Sequence, residues 1–417
     1  MNRWHSISEF LALRRNTSLL LVAHVLAGTG EKLWLGFAPQ YIQTLGGSIL
    51  IIGIFDALQT FLGAIYAYPG GWLTDKWGQR KSLLLFSVIS IAGYVLVLLW
   101  PHWLALLLGS FLFLAWSALS LPATFSVVAT SLDKSRHTMG IGVQSLVRRV
   151  PMMLGPLLGG WLLTRFGWTD GVRCALALCI TMSLLTAAFQ WLMFEDDSCR
   201  RRGDEAQTKD SVRASSRRLL QSETDAAPTF FTVVRTFTPA LRELLVSDIL
   251  IRFCERIPYA FIILWAMDSG GVTAQQFGYL IAFEMIAAML CYIPVAHLAD
   301  KYGRRPFVLA TFVFFTQFPL TLMFAHSFGW LALAFVVRGF KEFGEPARKA
   351  LIIGEAVPEL RARTYGAYYL IRDCVVTTGS FLGAWLWHIS PQANFIGAAL
   401  CGALGTIWFW WFIYRKK

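Results

Sequence analysis

The sequence predicts an all-α integral membrane protein of about twelve transmembrane helices, arranged as two pseudo-symmetric six-helix bundles. Three observations predict it. Hydrophobic residues make up 56% of the 417-residue chain and charged residues only 15%, more apolar surface than a water-soluble core of this length can hide. Apolar stretches of the length needed to cross a bilayer, about 20 residues for about 30 Å of hydrocarbon, recur along the whole chain. The second half of the chain also repeats the first.

The spans fall near residues 17–43, 49–74, 82–100, 103–131, 138–164, 171–194, 241–267, 275–299, 307–326, 329–354, 364–389 and 393–414. The N-terminal stretch MNRWHSISEFLALRRN is polar and leads into a full-length span, so no cleavable signal peptide is expected. Of 37 Lys and Arg residues, 25 lie in one alternating set of connections and termini, against two, Arg165 and Arg173, in the other set. By the positive-inside rule both termini and the central loop are expected to be cytoplasmic. The formal charge of +12 therefore orients a membrane protein and does not announce a nucleic-acid partner.

Glu195 to Thr238 holds eight acids and eight bases among Ser, Thr and Gln, and cannot bury a core. It reads as a linker with short amphipathic pieces such as SSRRLL and FFTVVRTF at the membrane surface. The expected organisation is a six-helix half over 1–194, a cytoplasmic linker over 195–240 and a second six-helix half over 241–417. A shift of 225 lays Gly53, Pro69, Leu73, Asp75, Lys76, Gly78 and Arg80 on Gly278, Pro294, Leu298, Asp300, Lys301, Gly303 and Arg305. A shift of 224 lays Gly155, Leu158, Gly159 and Trp161 on Gly379, Leu382, Gly383 and Trp385. Duplication of a six-span unit is the architecture of a secondary transporter.

Between spans two and three stands GGWLTDKWGQRK (70–81), and HLADKYGRRP (297–306) follows the equivalent span downstream. With its Gly71, Leu73, Asp75, Gly78, Arg80 and Lys81, the first resembles the loop motif of the major facilitator superfamily. The second, with Asp300 and Arg305, is its weaker copy, Ala296 replacing the first glycine. The resemblance implies the two-bundle fold, with the acids and bases of each loop latching the cytoplasmic side in one conformation. Physically, a small residue at 71 admits a neighbouring helix, and Asp75 at a helix end can accept charge-assisted hydrogen bonds. In span five, RRVPMMLGPLLGGWL places Gly155, Pro156, Gly159 and Gly160 for close packing and bending. It resembles part of the fifth-helix motif of family members that exchange drugs for protons.

An ionisable group inside a span costs about 2.5–3.5 kcal/mol on insertion scales and marks a cavity or a partner. In span ten Arg338, Lys341, Glu342, Glu345, Arg348 and Lys349 follow helical spacing, which sets Arg338/Glu342 and Lys341/Glu345 at pairing distance along one stripe. Asp248, Arg252, Glu255, Arg256 and Tyr259 line span seven, and Tyr365, Tyr368, Tyr369, Arg372 and Asp373 line span eleven. Glu31 and Lys32 stand in span one, Asp56 in span two, Arg148 and Arg149 in span five and Glu284 in span eight. The repeat sets Glu31 against Arg256 and Arg148 against Arg372. For Asp248, Arg348 and Lys349, near span ends, the simpler reading is snorkelling to the interface.

The resemblance implies that spans one, four, seven and ten line the pathway, flanked by two, five, eight and eleven, the eight spans that carry these charges or oppose one that does. Span four opposes the charges of span ten with Leu114, Ser117, Ala118, Leu121, Thr124 and Phe125, and so lacks the arginine that many proton-coupled members carry there. Glu31, Asp56, Glu255, Glu284 and Glu345 remain as candidate proton carriers. Arg148, Arg256, Arg372 and Glu31 are the first candidates at the solute site, with Asp75 and Asp300 as gate residues. Counting ten bases against seven acids, Asp248 left out, gives a positive excess that favours an anionic or zwitterionic solute.

No HExxH, GxSxG or phosphate-binding glycine loop supports an enzyme, the histidines are scattered, and the seven cysteines show neither a disulfide framework nor metal spacing. The expectation is a monomeric inner-membrane carrier without cofactor or metal. A proton gradient, or else a sodium gradient, drives export or antiport of a small charged or amphiphilic organic solute. Uptake of an organic anion and lipid translocation on the same fold are the alternatives.

Overall fold

The computed structural model describes residues 15–77, 79–131, 149–193, 230–357 and 360–415. The N-terminal helices are α1 (Arg15–Leu35), the short α2 (Ala38–Thr44), α3 (Ile49–Trp77), α4 (Gln79–Leu99), α5 (Trp103–Ser131) and α6 (Arg149–Met193). After them come α7 (Phe230–Arg235), α8 (Pro239–Tyr259), α9 (Ile262–Asp268), α10 (Ala274–Tyr302), α11 (Arg304–Met323), α12 (Phe328–Gly339), α13 (Glu345–Gly354), α14 (Arg361–Ile389) and α15 (Pro391–Phe409). Helix α6 is two spans in one, turned at Gly167, whose φ of 78° only a glycine adopts without strain.

Among the described residues, Ile49–Tyr66, Lys81–Leu99, Arg149–Trp191, Ala274–Cys291, Arg304–Met323 and Pro391–Tyr414 are long and apolar enough to cross a membrane. Three of these carry one expected site charge each, Asp56, Arg149 and Glu284, whereas α1, α8, α12, α13 and α14, which hold the other described charges of the site, are not among them.

Three spans expected as continuous are broken. Span one divides between α1 and α2, with Pro39 in the first turn of the second piece, and span seven divides between α8 and α9, just past Pro258. Proline lacks the amide that would continue the ladder, so a break beside it costs one hydrogen bond fewer. The two breaks stand 224 residues apart, whereas α3 and α10 start 225 apart. The register therefore slips in the loop between the first two spans of each half, and Lys32, not Glu31, is the counterpart of Arg256.

Span ten divides into α12, a 3₁₀ turn (Phe340–Glu342) and α13, with Pro346 in the first turn of the last. Gly339 packs on the main chain of Glu284 and Ala288, and Gly344 on the carbonyl of Phe307. The expected stripe is consequently not one helical face. The intrahelical pairs Arg338/Glu342 and Lys341/Glu345 do not form, because the break swings these side chains toward different neighbouring helices.

Helix α1 packs along α6, α8 along α15, and contacts between the N-terminal and C-terminal helices run through α3 against α14 and α6 against α10. The largest core joins both sets at the end away from the basic loops, where Phe37, Phe55, Phe261, Trp265, Phe277 and Phe335 are buried together. Edge-on ring pairs such as Phe37 on Phe277 close this end. A second core, with Leu244, Phe312 and Phe409, belongs to the C-terminal helices alone and buries Val233 and Phe237 from the linker segment around α7, while Phe231 stays exposed. The piece SSRRLL lies outside the described residues.

A charged cavity between the two sets of helices

Between the N-terminal and C-terminal helices lies a cavity of about 410 Å³. Seven residues expected at the site line it: Lys32, Asp56, Arg149, Glu255, Arg256, Glu284 and Lys341. Gln59, Arg338, Glu342 and the ring of Tyr259 complete its polar wall, and Pro156, Phe277 and Ile281 supply apolar surface.

From the wall inward the C-terminal helices hold a continuous ion network. Arg338 donates to Glu284 at 2.9 Å; Lys341 reaches Glu284 at 3.3 Å and Glu255 at 2.9 Å; Arg252 reaches Glu255 at 2.6 Å and Glu345 at 3.3 Å. Arg348 pairs with Asp248 and, at 2.7 Å, with Glu345; Arg372 reaches Asp248 at 3.4 Å and Asp373 at 2.7 Å. The Tyr368 hydroxyl donates to Asp248 at 3.2 Å, and the Arg372 guanidinium lies 4.1 Å over the Tyr369 ring. The tyrosine face of α14 thus supports the network.

Among the described residues, two ion pairs cross between the N-terminal and C-terminal helices. Arg149 donates to Glu342 at 2.9 Å, and Arg256 to Asp56 at 3.0 Å, so each set supplies one base and one acid. Lys32 pairs with its neighbour Glu31 at 2.9 Å.

The structure separates the expected site residues into groups. Glu31, Arg252, Glu345, Arg372 and Asp373 stand behind the cavity wall, Glu31 and Arg372 deeply buried. Arg148 lies outside the described residues, as do the side chains of Asp75, Arg80 and Asp300; the residues expected in the gating loop stand on helices instead, Gly71 and Asp75 in α3, Arg80 in α4 and Asp300 in α10. Arg305 lines a separate cavity near Thr238 and Glu355. Asp248 and Arg348 do not snorkel: both are buried and paired, whereas Lys349 keeps 47% of its side chain exposed. Counting Asp248 among the intramembrane acids narrows the excess to ten bases against eight acids, and each described intramembrane base pairs with at least one carboxylate. Ser380, which donates to Asp56 at 2.6 Å, carries no sequence signal. Asp248 did carry one, its helical spacing to Arg252.

In the glycine motif, Gly155 and Gly159 meet the main chain of Lys32 and Leu33 in α1, while Gly160 faces Ala274 and Gln275 of α10. In turn, Gly278 of α10 faces the carbonyl of Pro156. A side chain at these positions would push helices apart.

A multi-pass helical membrane protein with a charged cavity between two sets of helices has the build of a solute carrier. The sequence profile of the Major Facilitator Superfamily matches residues 20–254 and 244–417, and the chain belongs to that family of secondary transporters. It is 22% identical over 419 residues to the multi-drug resistance efflux pump PmrA homolog of Lactococcus lactis, covering 98% of this chain and 96% of that protein. It is 22% identical over 428 residues to the multidrug resistance protein MdtG of Serratia proteamaculans, covering 97% and 95%. In fold it resembles a POT family transporter in complex with a thioalcohol conjugated peptide, with TM-score 0.73, 14% identity and coverage of 94% and 95%. It resembles the nucleoside transporter NupG equally, with TM-score 0.73, 14% identity and coverage of 96% and 100%.

Proposed function

We propose that the chain is a monomeric, proton-coupled exporter or antiporter of small charged or amphiphilic organic solutes. It works in the inner membrane with both termini and the basic loops on the cytoplasmic side. The cavity carries this reading: its wall mixes acids, bases, the Tyr259 ring and apolar side chains, and charges from both sets of helices meet across it. Such a wall suits solutes that combine a charge with an apolar body. Relatives named as multidrug efflux proteins favour export. Organic-anion uptake is the weaker reading, because the four acids Asp56, Glu255, Glu284 and Glu342 pair with bases on the same wall and leave only a small positive field to draw anions in.

The test is reconstitution in liposomes holding a pH-sensitive dye, challenged with lipophilic cations, zwitterions and organic anions. Cations or zwitterions are expected to move protons, and Arg149→Gln, which removes one crossing pair, is expected to slow that flux more than about tenfold. Solute uptake without proton movement would replace the proton by sodium or by no ion at all.

In the last turn of α3, Asp75 is proposed to latch the cytoplasmic side. Asp75→Asn is expected to impair transport while membrane insertion, read by yield of monodisperse protein, stays unchanged. A fully active variant removes the latch.

A further inference from the structure

Opening the end of the protein away from the basic loops requires α3 to part from α8 and α14, and one ion pair stands in that seam. Asp56 of α3 is buried, and Arg256 of α8 reaches its carboxylate at 3.0 Å and its main-chain carbonyl at 2.9 Å. From α14, Ser380 donates its hydroxyl to the same carboxylate at 2.6 Å, and Arg256 Nε lies 3.4 Å from that hydroxyl. One turn away, Gly53 rests on Ala384 and on the Ser380 carbonyl. Arg256 is the only charged partner of Asp56 among the described residues; α5 faces this stretch with Phe113 against Phe55, and the Tyr259 ring lies 4.7 Å from the Arg256 guanidinium.

The other carboxylates on the cavity wall or behind it are held differently. Glu255, Glu284 and Glu345 each join at least two bases, all within the C-terminal helices, so they keep those partners however the two sets of helices move. Glu342 crosses to Arg149, yet is more exposed than Asp56, with 27% of its side chain open against 3%. Asp56 alone combines burial, a single base and a partner on the opposite set of helices.

Resting on the proton-coupled reading, we infer that Asp56 takes the coupling proton, and that its protonation releases Arg256 and Ser380 and opens the outer seam. Parting the seam with Asp56 charged strands a carboxylate and a guanidinium in a poorly solvated space, which is costly. A proton moving from outside water onto the Asp56 carboxylate leaves a neutral acid, and the freed guanidinium stays over Tyr259 on the cavity wall. Closure re-forms the pair and returns the proton to the cavity. A solute charge that takes either partner dissolves the same pair, so proton and solute compete, the condition for exchanging one for the other.

The experiment measures how fast a membrane-impermeant maleimide labels Ala384→Cys in the otherwise intact chain in proteoliposomes, resolved by mass spectrometry and divided by the rate for free glutathione at the same pH. The normalised rate is expected to rise about tenfold from mildly alkaline to mildly acidic pH. Asp56→Asn is expected to label fast at both. Ser380→Ala, which removes a hydrogen bond to the charged carboxylate, is expected to move the midpoint upward by about one pH unit. A flat profile with Asp56 in place, a normal pH response in Asp56→Asn, or an unmoved midpoint in Ser380→Ala overturns the inference. The labelling needs no solute, so proton flux in liposomes with a pH-blind seam sinks only this inference, whereas a responsive seam without proton flux sinks the coupling reading.

Discussion

Asp248→Asn is expected to produce the largest loss of stability of any single conservative change in the chain. Its carboxylate sits at the meeting point of Arg348, Arg372 and the Tyr368 hydroxyl, with Arg252 3.9 Å away. Apart from the exposed Lys349, 3.5 Å from Glu345, the network is balanced: Asp248, Glu255, Glu284, Glu345 and Asp373 face Arg252, Arg338, Lys341, Arg348 and Arg372. Removing one acid leaves a net charge among helices that lie in a bilayer, and breaking a buried pair in this way costs about 3–5 kcal/mol. Glu345 and Asp373 keep hold of Arg348 and Arg372 at 2.7 Å each, which points to the lower end of that range. Thermal unfolding of the purified protein, followed by the monodisperse fraction remaining, reads the loss. Lys349→Gln on the exposed face is the control and is expected to stay within about 0.5 kcal/mol. Equal stability of the two variants would mean that the network contributes nothing.

The adjacent glycines Gly159 and Gly160 are expected to respond to the same substitution in opposite ways. A Cβ at 159 runs into the carbonyl of Leu33, inside the N-terminal helices, where α1 and α6 have no alternative packing. Gly159→Val should therefore cost about 1–3 kcal/mol or more of folding stability. A Cβ at 160 runs into the carbonyl of Ala274 on the other set of helices. That contact lies in a seam that alternating access must open, so Gly160→Val can relieve the clash by staying open. It should fold as well as the parent, expose Ala384→Cys to maleimide at every pH and slow solute exchange more than about tenfold. Matching losses of stability in the two variants would show that the seam does not open there.

The membrane character, most of the span positions, the duplication and the identity of the charged residues were all legible before any coordinates. Hydropathy and helical spacing are local properties, and both survive whatever the helices do next. The site was legible only as a set. Lys32, Asp56, Arg149, Glu255, Arg256, Glu284 and Lys341 line one cavity, as their depth in the spans suggested, but Glu31, Arg252 and Arg372 stand behind it. The equivalence of Glu31 with Arg256 failed by one residue, because the repeat slips within a loop that carries no motif.

By itself the sequence determined that this chain enters a membrane as two related sets of helices and keeps titratable groups inside it, since insertion energies depend on composition and length. Which charges pair was decided only by the tertiary structure. The break at Phe340–Gly344 turns Arg338, Lys341, Glu342 and Glu345 toward different helices. The meeting of α3 with α8 and α14 joins Asp56, Arg256 and Ser380 across up to 324 residues of sequence. Ion pairing falls off within a few ångströms, and only helix packing sets distances on that scale between residues so far apart in the chain.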